Sequence, residues 1–583
     1  MSIFVYDLIV YFTERMYVHM NKILSFTKKI FWVILLGVFA FLLFKIAPYY
    51  KPTETFEKGV LRVVVDDKDV TNSLPDEVFV ENDVVMMTSK TAMKYFDNIY
   101  IYYDEKYDTA IITSDKMIGK IKLGTNTINV NGEDKALEGT AFMSGEQLYI
   151  PISSVEEVTD VSIDFNEKVI ATTPRGMSRV KIVKSGSKQK LKAYKNNISM
   201  SNGFAYEDEL LYVFDTENKA FEDYLTVRNI RGDIGYMVYQ EIDAKDILYF
   251  NQGTDIQIKE AVDDMKYVLA WEYAENYSPD RSNESKMKAL DIISPTWLYL
   301  TDDEGNIKST MDQEYFNWAK DEKYQVWPTL KNDFISMAEL STIMNDMELR
   351  NKLINNVLDY AIQNKLEGIN IDFENMYKED KNVFSQFVRE FSSAFRRNGI
   401  IVSIDVTVPG GSDTYSLCYD RTALSKAVDY MMLMAYDQYG VWSTNAGPVA
   451  SLSWVERNII DMLGYEGVDK DKLFLCVPFY SRYWSVNTET GNVKSSKAID
   501  METANSYLER YKEYAKWSDE DGQYYIEFTQ NDTTVKIWIE NEEALKKKIE
   551  LINKYDLAGV AVWRWGFEDD EAFKTIDETM NIQ

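Results

Sequence analysis

In the stretch GINIDFEN, Asn370, Asp372 and Glu374 alternate with Ile369, Ile371 and Phe373. A strand turns successive side chains to opposite faces, so the three polar groups share one face and the three apolar groups the other. Two carboxylates two residues apart in a partly buried place have their proton affinities pushed apart, which leaves one able to stay protonated and donate. That is what a general acid requires. The chain has a single His, His19, within its first twenty residues, which excludes Ser-His-Asp and Cys-His triads and any zinc site built on His. Acid-base work falls to carboxylates, Tyr or Lys. Cys418 and Cys476 lack a CxxC spacing and read as two buried free thiols. Neither a metal nor a cofactor is expected.

The elements that would position these carboxylates run from residue 265 to 583. Strand-like runs alternate there with helix-patterned segments such as MELRNKLINNVLDYAIQNK and NVFSQFVREFSSAFRRNG. The runs are YVLAWEYA, IISPTWLYL, YQVWPTL, GINIDFEN, IVSIDVTVP, YMMLMAYDQ, LFLCVPFYSRYW and GVAVWRWGF. Eight such units predict a (β/α)8 TIM barrel. In a barrel strand the inward face is normally Val, Ile or Leu, so three polar groups in succession are costly unless paired or used. They also stand at the C-terminal end of their strand, where barrel enzymes build their sites. Between strands 7 and 8, residues 487–557 are too long for one helix and hold a predicted hairpin, QYYIEF and TTVKIWI, so a small α+β insertion is expected beside the cleft.

Upstream, the chain reads as several modules, since 583 residues predict about three to five domains. A formal charge of −30, from 64 Lys+Arg against 94 Asp+Glu, argues against nucleic acid, whose phosphates need clustered cations. Residues 30–48 contain the uncharged run IFWVILLGVFAFLLF and predict a membrane-spanning helix. Lys22, Lys28 and Lys29 before it place residues 1–29 in the cytoplasm and the remainder outside, as a single-pass protein of a bacterial cell membrane. Residues 59–175 are rich in short β runs, a β-rich α+β stalk. The stretch INVNGEDKALEGTAFMSGEQLYIPISSVEEVTDVSIDFNEKVIATT resembles copper amine oxidase N-terminal-like domains. Without His or Cys there, the region has nothing to hold copper. In residues 178–243, YLTVRNIRGDIGYM resembles the closing strands of a bacterial SH3-like barrel. Ligand binding and spacing are equally open for that module, as is any protein partner.

GINIDFEN resembles the DGxDxDxE signature of family 18 glycoside hydrolases, the chitinases and related N-acetylglucosaminidases. MAYDQY is similar to that family's sixth-strand motif, VPFYSRYW to its seventh-strand motif and GVAVW to its eighth, in the correct order. The resemblance implies a retaining mechanism in which the substrate's own 2-acetamido group is the nucleophile. Glu374 would be the acid and then the base, Asp372 would accept the acetamido N–H, and Tyr436 would orient the acetamido oxygen. Trp563 would floor the sugar subsite, with Asn370, Asp437, Tyr480 and Arg482 as further glycan contacts. The signature's first Asp is Asn370 here, which removes an acidic neighbour from Asp372 and resembles the spore-cortex and wall-associated branch. The expected substrate is therefore an N-acetylglucosamine-containing glycan, peptidoglycan first. A chitinase or chito-oligosaccharide hydrolase, and a catalytically silent glycan-binding or scaffold protein, are the alternatives.

Overall fold

The computed structural model describes residues 2–46, 61–71, 77–96, 98–165, 168–172, 178–181, 189–195, 199–206, 209–214, 224–238, 248–249 and 266–580. They form two compact units, Met1–Val85 with Asp160–Thr254 and Met86–Thr159 with Asp255–Gln583. The division runs through the predicted stalk.

The first unit opens with helix α1, Ser2–Ile46. Its stretch Thr13–Phe41 is long and apolar enough to cross a membrane. Large apolar side chains along it, Phe31, Trp32 and Leu36 among them, are exposed, a surface that a soluble helix rarely presents. The end of the expected span, 47–48, the linker to residue 60, and all of 239–265 except 248–249 lie outside the described residues. So do 182–188, 196–198, 207–208 and 215–223 of the module expected at 178–243. Arg62–Val65 runs parallel to Lys168–Thr172, which pairs antiparallel with Ser162–Phe165. The strands Tyr224–Asn229 and Ile234–Val238 form a hairpin over a small core of Leu191, Ala205, Leu211, Val227 and Met237. Arg228, fully buried, donates from Nη1 to the carbonyls of Asp66 (2.8 Å) and Ala171 (3.1 Å).

The second unit contains an antiparallel meander of Tyr100–Asp104, Thr109–Thr113, Ile118–Lys122, Thr127–Val130 and Glu133–Ala136. Its last hairpin turns on Asn131 (φ 51°) and Gly132 (φ 96°). Two central residues with positive φ make the tight primed turn that Asn-Gly favours. The meander lies against helices α2, Met347–Gln363, and α3, Lys381–Arg397. Arg350 of α2 is wholly buried and its Nη2 reaches Asp104 (3.2 Å) on the meander and Glu390 (3.4 Å) on α3. Arg389 lies 3.4 Å over the Tyr100 ring, and Lys120 Nζ donates to Asn351 Oδ1 at 2.7 Å.

Helices α2 and α3 flank the fourth of eight strands. These are β1 Tyr267–Glu272, β2 Ile292–Pro295, β3 Gln325–Val326 continuing as Thr329–Lys331, β4 Gly368–Asp372, β5 Ile401–Thr407, β6 Tyr430–Met434, β7 Leu473–Pro478 and β8 Gly559–Trp563. Each pairs in parallel with the next, and β8 pairs back onto β1 through Tyr267↔Gly559 to Ala270↔Val562, so the ladder closes on itself. Inside the ring, Trp271, Trp327, Tyr430, Met432, Phe474 and Cys476 pack into a plug. Ile369, Ile371 and Phe373 face outward into the layer shared with the helices, where Phe373 stacks on Phe387 of α3 at 5.9 Å. Gly368 starts β4 because a Cβ there would fall 2.7 Å from the Trp327 ring. Glu367 before it pairs with Lys320 and accepts from the Val326 N–H at 3.0 Å, bracing β4 against β3.

The alternation departs from the expected pattern once, because residues 273–291 between β1 and β2 contain no helix. After β7 the chain enters an antiparallel sheet of Tyr480–Asn487, Val493–Asp500, Ala515–Ser518, Gln523–Gln530 and Thr533–Ile539, with helix Met501–Arg510 packed on it. The insertion therefore begins at the end of β7, earlier than residue 487, and the hairpin read from QYYIEF and TTVKIWI is its Gln523–Gln530/Thr533–Ile539 pair.

Candidate active site

The polar face of β4 enters the ring and rises to its C-terminal mouth. Asn370 is fully buried, and its amide hydrogen bonds go to the protein. Its Oδ1 accepts from Trp271 Nε1 (3.0 Å) and Thr329 Oγ1 (3.4 Å), while Nδ2 donates to Ser403 Oγ (3.0 Å) and Asp405 Oδ1 (2.7 Å). Asn370 is thus a strut beneath the site, joining β1, β3, β4 and β5, where a glycan contact was expected. Asp372 and Glu374 above it are partly exposed. Asp372 Oδ1 is shielded from solvent and has no hydrogen-bond partner among the described residues.

The backbone at the end of β4 is held from both sides. Asn332, just past β3, donates from Nδ2 to the Glu374 carbonyl (2.8 Å) and accepts the Glu374 N–H on Oδ1 (2.9 Å). The buried Tyr419 hydroxyl donates to the Phe373 carbonyl at 2.7 Å. These bonds fix where the Glu374 side chain starts.

Burial is the largest influence on both carboxyls. It raises Asp372 to about 7, opposed by the Lys331 cation and reinforced by Asp333. Burial also raises Glu374 to about 8, helped by the charges of Asp372, Asp333 and Asp437 and opposed by Lys331. Burial therefore favours the uncharged form of Glu374 near neutral pH, which is what a proton donor at the mouth of the ring requires. Lys331 is itself held by Glu275 and Asp333, which keeps its charge beside the pair without a direct bond to either member. Asp405 is raised well above the usual carboxyl range, first by burial and then by Asp372.

Of the other residues expected at the site, Tyr436 lies in the loop after β6, where its hydroxyl is raised well above the usual phenol by burial, with Asp405 and Asp372 contributing. Asp437 follows it with φ 54°, and its Oδ1 accepts from the Tyr480 hydroxyl (2.7 Å) and Arg482 Nη2 (3.3 Å). The three residues expected as separate glycan contacts form one linked group, tying the β6 loop to the first strand of the insertion. Trp563 ends β8 and meets Trp271 edge to face at 6.1 Å. Among the described residues no cluster of His, Cys, Asp and Glu could hold a metal.

Sequence reasoning missed Asn332, Tyr415, Tyr419 and Asp405. Tyr415 faces Glu374 and Asp437, both of which raise its hydroxyl after burial, and its ring meets that of Trp442 at 6.3 Å. Trp442 (63% exposed) and Phe334 (54%) stand in loops past β6 and β3, with Phe334 against Tyr299 at 4.4 Å. A polar residue directly after YQVWPTLK and an acid inside IVSIDVTVP were the available signals for Asn332 and Asp405.

Residues 64–172 match the model of the copper amine oxidase N-terminal domain. The uncharacterized glycosylase YvbX of Bacillus subtilis (strain 168) is 23% identical over 281 residues, 47% of this chain and 80% of that protein. The cortical fragment-lytic enzyme of Bacillus anthracis is 22% identical over 259 residues, 43% of this chain and 59% of that enzyme, so the chain spans less than two thirds of the latter. Among solved structures, the spore cortex-lytic enzyme SleL of Bacillus megaterium QM B1551 matches 55% of this chain and 75% of its own, at TM-score 0.49 and 17% identity. The chitinase of Chromobacterium violaceum ATCC 12472 matches 55% and 100%, at 0.48 and 20%. The model of glycosyl hydrolases family 18 matches residues 273–568, more than half of the chain and the strands β2 to β8, so this chain belongs to glycosyl hydrolases family 18.

Proposed function

We propose that this glycoside hydrolase cleaves β-linked N-acetylglucosamine-containing glycan, with peptidoglycan as its polymer, by retaining, substrate-assisted catalysis on a (β/α)8 barrel. Glu374 gives its proton to the glycosidic oxygen while the acetamido carbonyl of the sugar attacks the anomeric carbon and the C–O bond breaks. Asp372 accepts the acetamido N–H and offsets the positive charge of the oxazolinium, and Tyr436 orients the acetamido oxygen. Water then bonds through its oxygen to the anomeric carbon, the bond from that carbon to the acetamido oxygen breaks, and Glu374 takes the proton the water loses, which restores the enzyme. Trp563 would present its face to the pyranose C–H groups, and the exposed rings of Trp442 and Phe334 would extend the track. The observation that carries this reading is the placement of Glu374, whose buried carboxyl favours the uncharged form, two residues past an acceptor whose Oδ1 has no hydrogen-bond partner among the described residues.

The name of one relative, a cortical fragment-lytic enzyme, supports a cell-wall polymer as the substrate. The uncharged run from Ile30, in the apolar helix whose stretch Thr13–Phe41 could cross a membrane, supports a membrane anchor, and Lys22, Lys28 and Lys29 before that run support a cytoplasmic N-terminus with the catalytic part outside. In this reading residues 59–175 and 178–243 are the stalk and SH3-like modules between anchor and barrel. The test is release of reducing ends by the full chain in detergent micelles. Peptidoglycan should be cleaved with the β-anomer formed first, and Glu374→Gln should abolish release. Cleavage of chitin oligomers alone would transfer the assignment to a chitinase. No turnover of either polymer would leave a glycan-binding protein.

A further inference from the structure

The loss of the signature's first acid raises the question of where a second proton site for Asp372 lies, and the neighbouring strand carries one. In the β4–β5 ladder Asn370 is paired with Ser403 and Ile371 with Ile404, so the next step along the register sets Asp405 beside Asp372. Neighbouring residues of parallel strands point to the same face about 4.8 Å apart, which puts both carboxyls inside the ring. Asp405 is 2% exposed.

The orientation of the Asn370 amide is determined by its partners. Trp271 Nε1–H can only donate, so it must face Oδ1, and Nδ2 must then face Asp405 Oδ1 at 2.7 Å. An Asp at position 370 would set two carboxyls at that contact. Asn370 and Asp405 therefore form a matched pair, an amide where an acid would clash and an acid one strand over. Two carboxyls side by side in a buried place do not both ionise, and they hold one proton between them.

We propose that Asp405 is a positioning residue that holds this shared proton, so that Asp372 is the anion when the acetamido N–H and the charge of the oxazolinium arrive. The inference rests on the substrate-assisted reading above. The proton passes from Asp372 to Asp405 as the sugar binds and returns when product leaves, with none gained or lost. The titratable groups facing Asp405 are Asp372 and Glu374 from β4, Tyr436 after β6 and Cys476 of β7; Lys331, with Asp333, acts on Asp372 from the β3 side. Burial and the charge of Asp372 raise the Asp405 carboxyl, which makes it able to take the proton that Asp372 gives up.

The test compares the full-length wild type with D405N, which keeps an acceptor for Asn370, and with the exchange N370D/D405N, which moves the acid to β4. D405N should lower kcat by about tenfold or more with KM within about twofold. Without the partner to take its proton, Asp372 ionises only at higher pH, so the acidic limb of kcat should move upward by about one pH unit. The exchange should restore both. Infrared titration of the carboxylic C=O band needs no substrate. It should show the steps of Asp372, Asp405 and Glu374 coupled in wild type, and D405N should remove one of them and shift that of Asp372. Wild-type kcat, limb and infrared titration in D405N would overturn the proposal. Wild type inactive on every glycan, or activity surviving Glu374→Gln, would refute the hydrolytic reading instead, and the infrared titration would still decide whether Asp372 and Asp405 share a proton.

Discussion

A buried acid held protonated for catalysis weakens the fold that holds it, and Glu374→Gln exposes how much. The Glu374 carboxyl is raised from its ordinary 4.5 to about 8 in the folded chain. Below pH 4.5 both folded and unfolded chains keep the proton and the substitution is neutral in this respect. As pH rises above that value the unfolded chain releases its proton while the native site still holds one, so native stability falls, at about 1.4 kcal/mol per pH unit. The loss stops growing once the native group ionises near 8. At pH 7 it amounts to about 3 kcal/mol as an upper bound, and to about half of that if water at the cleft mouth screens the site. Gln has no such charge, and the Asn332 bonds go to the backbone at 374, so the substitution leaves them in place. The variant should be inactive yet melt about 3 to 6 °C above wild type at pH 7, with the difference vanishing at pH 4. Thermal scans of both full-length proteins at the two pH values, followed by tryptophan fluorescence of the ring's interior, measure it. A Glu374→Gln protein destabilised equally at both pH values would refute the argument that burial keeps this carboxyl neutral.

Two further substitutions test the supports of the site. Asn332→Ala removes both bonds to the Glu374 backbone and should lower kcat by about tenfold with a smaller change in KM, read from reducing-end kinetics on the folded variant. Equal kcat would mean that β4 needs no brace from β3. Arg350→Met leaves Asp104 and Glu390 buried without their cation and should destabilise the second unit by about 3 to 5 kcal/mol. Hydrogen exchange should rise first in Tyr100–Asp104 and in α2, and unchanged protection there would show that apolar contacts alone hold the meander.

What could be read from the chain depended on whether the relevant interactions were local. Alternation along β4 is a property of one strand, so the shared face of Asn370, Asp372 and Glu374 and the outward face of Ile369, Ile371 and Phe373 followed from order alone. The Asn-Gly turn at 131–132 and the hairpin ending the insertion are equally local. The role of Asn370 was not readable in this way. A strand pattern gives the face of a residue but not its depth, and the four partners at 271, 329, 403 and 405 come from three other strands.

The same limit applied to the reading of residues 59–175 as a stalk. Its 86–159 portion belongs to the same compact unit as the ring, through Arg350 and Arg389, which sequence alone presents as ordinary charges on helical segments.

By itself, then, the sequence determined the face that Glu374, the proposed proton donor, shares with Asp372, and the apolar helix that holds Thr13–Phe41, because periodicity and residue chemistry act over a few positions. The tertiary structure decided which groups surround that donor: Asn332 under its backbone, Asp405 beside Asp372, and Asp437, Tyr480 and Arg482 as one linked group. Those choices follow from closing eight strands into a ring, which brings residues tens to hundreds of positions apart into one water-poor place where their charges must be reconciled.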